Sequence, residues 1–141
     1  MTDFKVPLVR NDIEKVVRNS FYMQKLTAQS FYIEPCGKRC RVIKVIPGQL
    51  LTEEWITDID FDKGNGIDVS RDILKLAVAE RHLNTGHIGL GFITGIGLQK
   101  GAIASSVSHD SHNLVIIGTN EEDMAIAGNR IRELGGGCVA V

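Results

Sequence analysis

The chain has 141 residues, 43% of them hydrophobic, which is enough to bury one core without disulfides or a structural metal. Sixteen Lys and Arg residues against seventeen Asp and Glu residues give a formal charge of −1, so the basic surface that nucleic-acid binding requires is missing. There is no run of about eighteen apolar residues and no secretion signal at the start, so we predict a cytoplasmic protein without a membrane partner.

The first part of the chain, residues 1–39, shows little regular hydrophobic period and is interpreted as an arm or linker, with one weak helical pattern over residues 12–21. Residues 40–46 are rich in β-branched side chains and stop at Pro47, which predicts a strand followed by a turn. Apolar residues alternate with aspartates over residues 55–61, the pattern of a half-buried strand. The folded domain is therefore predicted to begin at residue 40 and to run to residue 141.

Two helices are predicted in the remainder of the chain. One starts at Ser70, a candidate N-cap, and runs to about His82 because apolar residues recur at helical spacing. The other starts at Asn120, carries acidic residues in its first turn, and stops at the glycines 135–137. Further strands are predicted at residues 88–92, 102–107, 114–117 and 138–141. We expect a single α+β domain, a mixed β-sheet with two main helices packed on it, that is incomplete at its C-terminal end because the last strand stops abruptly.

Glycines and cysteines give weaker signals. Gly89 and Gly91 fit no phosphate-binding motif, and within a strand they indicate bulges or a surface that another backbone or a ligand approaches closely. Cys36 and Cys40 resemble half of a zinc site, but their spacing is one residue too long and no His-x-Glu motif completes it. With Cys138 they make an odd count, which favours reduced thiols. We assign no metal ligands in this chain.

The most unusual feature is the polar segment, residues 108–113, which lies between two predicted apolar strands. Its two histidines, aspartate and asparagine are costly to bury without partners, so we expect them to face solvent, a ligand or another domain. Adjacent residues rarely converge as a hydrolase triad, and two imidazoles without a matching carboxylate pattern make a weak metal site. A polar loop with only local hydrogen bonds remains an equal alternative. His82 and His87 are more simply structural.

From about Leu26 onward the sequence resembles the C-terminal domain of adenine deaminases of the amidohydrolase superfamily. The matching motifs cover residues 45–49, 81–82, 85–86, 88–92, 97–107, 109–113, 118–120, 122–125 and 134–137. His87 departs from the family, in which an asparagine is usual between Gly86 and Ile88. Taken together the motifs identify residues 40–141 as an adenine deaminase C-terminal-like domain.

The resemblance implies an enzyme that hydrolyses adenine to hypoxanthine and ammonia in purine salvage, with a divalent metal pair, manganese or iron, that activates water. In the family the metal ligands lie in an N-terminal barrel that begins with a His-x-His motif, and this chain lacks that motif. The resemblance therefore implies an amidohydrolase barrel domain or subunit as partner, adenine as substrate, and a chain that is inactive by itself. We also expect a homo-oligomer.

Within this chain, the resemblance and the polarity of residues 108–113 together point to accessory roles at the active-site mouth. Three residues are expected to orient substrate, shuttle protons or close the site: His109, Asp110 and His112. Three are expected to bind the substrate: Ser108, Ser111 and Asn113. The alternatives are a non-enzymatic regulatory module that binds a nucleobase or nucleotide, and a scaffold for oligomerisation.

Overall fold

The computed structural model describes residues 20–141 and places seven strands in one sheet. The strands are β1 (Arg39–Val45), β2 (Thr52–Asp58), β3 (Leu74–Ala79), β4 (Ile88–Thr94), β5 (Ala102–Ser105), β6 (Leu114–Gly118) and β7 (Cys138–Ala140). The helix α1 is Glu121–Leu134, and short 3-10 turns lie at Ala28–Phe31, Gly64–Gly66 and Val69–Arg71. No helix within the described residues is long and apolar enough to cross a membrane.

The strands are arranged in the order β2-β1-β4-β3-β6-β5-β7. Strands β1 and β4 pair in parallel, and every other neighbouring pair is antiparallel. The sheet is therefore mixed, as predicted. Strand β3 is the fourth of the seven strands and is therefore the central one. Strands β3 and β5 are both antiparallel to β6, so the loops that follow them emerge at the same end of the sheet.

The predicted helix over residues 70–82 is wrong, since most of that stretch forms β3. Leu74 and Lys75 are wholly buried although they point to opposite faces of the sheet. The residues of β3 form a nearly continuous apolar run, and hydrophobic period alone does not distinguish such a run from a buried helix. Asp72, in the left-handed conformation at φ 54°, separates β3 from the preceding 3-10 turn. The described sheet thus carries one main helix rather than two.

The other predicted elements are present with shifted bounds. The strand predicted over residues 55–61 begins and ends earlier, as β2, and the strand predicted over residues 102–107 ends at Ser105. Helix α1 starts where predicted because the Asn120 side chain accepts a hydrogen bond of 2.7 Å from the Asp123 amide. It ends where Gly135 adopts φ 74°, which glycine tolerates without steric cost. The weak helical pattern over residues 12–21 lies almost entirely outside the described residues.

Helix α1 packs on one face of the sheet and forms the main core with it. Buried alanines from β3 and β5 keep that face flat, and Leu114 and Ile116 from β6 fill it. Gly128 allows close approach, because a Cβ atom there would lie 2.6 Å from Leu26 Cδ1 and 2.7 Å from Ile116 Cδ1. The chain before β1 joins this core: the Asn129 side chain donates to the Leu26 carbonyl and accepts from the Leu26 amide.

A buried charged contact ties the start of α1 to the sheet. The Lys75 ammonium is wholly inaccessible to solvent, pairs with the Glu121 carboxylate, and donates a hydrogen bond of 2.5 Å to the Asn65 side chain. Burial lowers the pKa of Lys75, and the hydrogen bond and charge of Glu121 oppose that effect. Asn65 in turn bonds both the amide and the carbonyl of Ile33, so this lysine connects three parts of the chain.

Candidate functional site

The polar segment, residues 108–113, forms the loop between β5 and β6. Its backbone turns tightly, because the His112 amide donates a hydrogen bond of 2.6 Å to the Ser108 carbonyl. His112 adopts the left-handed conformation at φ 52°. Since β5 and β6 are adjacent antiparallel strands, they hold the two ends of this loop next to each other at one end of the sheet.

The charged and imidazole side chains of the polar segment project into solvent. The side chains of His109 and Asp110 are 89% and 91% exposed, and His109 Nδ1 contacts the Asp110 carboxylate. The rings of His109 and His112 have their centroids 5.9 Å apart. The structure therefore brings the three predicted accessory residues together, as two imidazoles and a carboxylate side by side on the surface.

The predicted substrate-binding residues divide into two kinds. Ser111 is exposed and its hydroxyl accepts a hydrogen bond of 3.4 Å from the Asn113 amide, whereas Ser108 and Asn113 are half-buried. The Asn113 oxygen Oδ1 is fully buried and accepts no hydrogen bond from residues 20–141. Leaving a buried carbonyl unpaired costs about 1–3 kcal/mol, and because the domain itself shields this oxygen, it is not an exposed acceptor for a substrate.

Two neighbouring residues of the loop after β3 hold the backbone of the polar segment. The Arg81 Nε atom donates a hydrogen bond of 2.5 Å to the His112 carbonyl, and its guanidinium stacks 5.0 Å from the centre of the Phe21 ring. His82 Nε2 lies 2.9 Å from the Ser111 carbonyl, which can only accept, so that nitrogen carries the proton. These bonds use main-chain oxygens and leave the side chains of the segment free.

Glu80 organises the loop that carries Arg81 and His82. Its carboxylate accepts hydrogen bonds from the amides of His82, Leu83 and Thr85 and from the Thr85 hydroxyl. Partial desolvation would raise the pKa of Glu80, but these hydrogen bonds outweigh it and lower the pKa to about 2. These hydrogen bonds fold residues 80–85 into a turn, and Arg81 and His82 in this turn make the contacts to the polar segment.

The sequence pattern alone did not reveal these anchoring roles. His82 was predicted to end a helix, and that prediction is wrong because His82 follows a strand. The available signal was the position of Arg81 and His82 immediately after a long apolar run, within a motif that also contains Thr85. His87 is exposed, and its backbone carbonyl accepts a hydrogen bond of 3.0 Å from the Glu80 amide while its amide donates one of 3.3 Å to the Thr85 hydroxyl.

Metal ligation is not provided by the part of the chain that the structure describes. Within residues 20–141 no three His, Cys, Asp or Glu side chains lie close enough together to share a metal ion. Cys36 is exposed and Cys40 half-buried. Desolvation, followed by the nearby Cys36 and Asp58, raises the pKa of the Cys40 thiol and so disfavours the thiolate that zinc binds.

The chemical capacity of the site is proton exchange and hydrogen bonding at an exposed loop. Imidazoles and a carboxylate side by side can donate and accept protons at a molecule placed against them. The same groups are almost fully exposed to water, so the loop encloses no substrate by itself. A second surface is needed to complete a site around it.

Comparison of the sequence with known proteins shows the family to which this chain belongs. The family model described as adenine deaminase C-terminal domain matches residues 49–141. An adenine deaminase from Brucella anthropi is 44% identical over 134 residues, which are 94% of this chain and 24% of that relative. One from Methanothrix thermoacetophila is 49% identical over 117 residues, 82% of this chain and 21% of that relative. The chain therefore spans about a quarter of the length of the curated relatives it matches.

Proposed function

Because this chain belongs to the adenine deaminase C-terminal domain family, we propose that it is the C-terminal domain of a metal-dependent adenine deaminase. The complete enzyme would convert adenine and water to hypoxanthine and ammonia, and this domain would not be catalytic by itself. The observation that carries the proposal is the exposed polar segment, whose backbone is anchored by Arg81 and His82. An anchored loop with free imidazole side chains is suited to act on a substrate that a second domain holds.

The metal would belong to that second domain. The described residues offer no cluster of ligands, and we infer that the divalent metal, manganese or iron, would be bound by an amidohydrolase barrel within the part of the relatives that this chain does not match. There the metal would supply an activated water, which is the usual role of such ions in hydrolysis. The residues of this chain would not bind it.

The polar segment would lie at the mouth of the barrel's active site. Replacing an amino group by a carbonyl requires protons to be delivered and removed near the purine ring, and the imidazoles of His109 and His112 and the carboxylate of Asp110 are groups that exchange protons in enzymes. Ser108, Ser111 and Asn113 would bind the substrate, because hydroxyl and amide groups match the alternating donors and acceptors of a purine edge.

A role in purine salvage, a cytoplasmic location and a homo-oligomeric enzyme complete the proposal. Nucleic acid is not among the proposed partners, because the formal charge of −1 provides no basic surface.

The test uses a fusion enzyme, in which this chain replaces the matching segment of the Brucella anthropi relative. His109→Ala and His112→Ala should each lower kcat/KM for adenine by at least about tenfold, because they remove groups that exchange protons. His87→Ala is the matched control, since His87 is an exposed histidine outside the polar segment, and it should leave kcat/KM unchanged. The proposal fails if the unmodified fusion enzyme is inactive with metal bound, or if all three variants keep full activity.

A further inference from the structure

Over strands β3 to β7, the face of the sheet opposite α1 consists of small and apolar residues, whereas the same face of β1 and β2 carries the ion pair of Arg41 and Glu54. Alternate residues of a strand point to opposite faces of a sheet. The residues next in sequence to those that pack on α1 therefore point to the face opposite α1. We call the following residues of β3 to β7 the open face: Leu76, Val78, Gly89, Gly91, Ile103, Ser105, Val115, Ile117, Cys138 and Ala140. None of them is charged. A surface without charges is unusual for a face left to solvent and is typical of an interface core.

Only one end of the open face is covered within the described residues. There, Ile96 and Leu98 from the loop between β4 and β5 pack against a cluster formed by Leu74, Ile93 and Ile117, and Leu76 and Val115 of the open face pack against the same cluster. The remainder includes an open depression of about 470 Å³ lined chiefly by Ile103, Val115, Cys138 and Ala140. The uncovered end is the end at which the polar segment emerges, because Ser105 closes β5 and Leu114 opens β6.

The two glycines of β4 keep this face flat. A Cβ atom on Gly91 would meet no atom within 4 Å, and one on Gly89 would lie 3.9 Å from the Val78 carbonyl. Neither glycine has the positive φ that would exclude other residues. Their conformation and their neighbours within the chain therefore leave room for a side chain. A flat glycine strip on a strand is the arrangement that allows another backbone to approach closely.

We infer that the open face is the docking surface for the catalytic domain of the complete adenine deaminase. The inference rests on the proposed function. The curated relatives carry about three quarters of their length outside the region that this chain matches, so a domain is available to cover the face. A body that covers Val115 and Ser105 also lies beside the polar segment, which these two residues flank. A second copy of this chain would cover the face without bringing a metal site to His109 and His112.

Native cysteines allow a direct test. Cys138 lies on the open face and is exposed, and Cys36 is exposed on the chain before β1, so it serves as the internal control. Maleimide labelling followed by peptide mass spectrometry reports both thiols at once. We expect both to react in the chain alone, and we expect Cys138 to react about tenfold more slowly in the fusion enzyme, with Cys36 unchanged.

Matched substitutions separate docking from general effects on folding. Ile103→Glu in the fusion enzyme introduces a charge on the open face, where Ile103 is 36% exposed, and should restore the labelling rate of Cys138 to that of the chain alone. Ile126→Glu introduces the same charge on the outer side of α1, where Ile126 is 55% exposed, and should leave Cys138 protected. Circular dichroism of both variants as isolated chains checks that the domain stays folded.

The inference is overturned if Cys138 labels as fast in the fusion enzyme as in the chain alone. It is also overturned if Cys138 becomes protected in the chain alone as concentration rises, because a second copy would then cover the face. An active fusion enzyme that responds to His109→Ala but leaves Cys138 reactive retains the proposed function and removes the docking surface. If Cys138 is protected in the fusion enzyme but His109→Ala does not change its activity, the docking surface is retained and the proposed role of the polar segment is removed.

Discussion

Arg81 Nε donates a hydrogen bond of 2.5 Å to the carbonyl of His112, a residue 31 positions away in the chain. The bond joins the loop after β3 to the loop before β6, which are neighbours only because β3 and β6 pair in the sheet. A guanidinium on a carbonyl is a charge-assisted hydrogen bond, and such bonds are stronger than those between neutral groups. The position of the polar segment thus depends on a residue that contributes no side chain to it.

Removal of this bond should loosen the polar segment. Arg81→Ala is expected to increase amide hydrogen exchange at residues 111–113 and to lower the free energy of unfolding by about 1–2 kcal/mol. Hydrogen exchange with mass spectrometry and urea denaturation measure the two effects. Arg130→Ala is the control, because Arg130 forms an exposed pair with Glu133 and should change stability by less than about 0.5 kcal/mol. Equal exchange rates in both variants would contradict an anchoring role.

Glu80 should make stability depend on acidic pH. Its pKa is lowered in the folded chain from the ordinary 4.5 to about 2, so the folded state binds this proton less tightly than the unfolded state. The stabilising contribution is therefore complete above pH 4.5 and is lost as pH falls toward 2. Glu80→Gln should weaken the loss of stability over this interval, measured by urea denaturation at several pH values. Glu133→Gln, on the exposed side of α1, should retain the wild-type pH dependence.

Substitution by alanine should change the free energy of unfolding by different amounts at two glycines, Gly128 in α1 and Gly91 in β4. Gly128→Ala places a methyl group within 2.7 Å of Leu26 and Ile116 side-chain atoms, and such overpacking costs about 1–3 kcal/mol of unfolding free energy. Gly91→Ala meets open space, so we expect a change below about 0.5 kcal/mol in the isolated chain. Thermal or urea denaturation of both variants makes the comparison. Equal destabilisation would show that the packing around α1 is different from that described.

The buried pair of Lys75 and Glu121 should respond asymmetrically. Glu121→Ala leaves the ammonium buried without its carboxylate, and loss of one partner of a buried pair costs about 3 kcal/mol. Lys75→Met keeps the length of the side chain, removes the buried charge, and leaves the 19% exposed Glu121 able to reach water. The methionine variant is therefore expected to be the more stable of the two by urea denaturation. The reverse order would refute the view that the lysine charge is the costly group.

Some of this fold could be predicted from short stretches of sequence. The Asn120 cap, the acidic first turn and the glycine stop define α1 within a few residues of each end, and the structure has the same bounds. The alternation in β2 and the polarity of residues 108–113 are equally local. Residues 70–82 misled the prediction, because β3 is an almost uninterrupted apolar run without the alternation from which a strand is recognised.

The sequence by itself determined the family, the capped helix α1 and the polar segment between two apolar strands. Each of these follows from capping chemistry, from the cost of burying polar groups or from residue motifs. Only the tertiary structure decided that β3 is a strand, that Arg81 and His82 hold the polar segment, and that Gly89 and Gly91 lie on an uncovered face. These relationships join residues about 30 positions apart, and they depend on which strands pair and in what register.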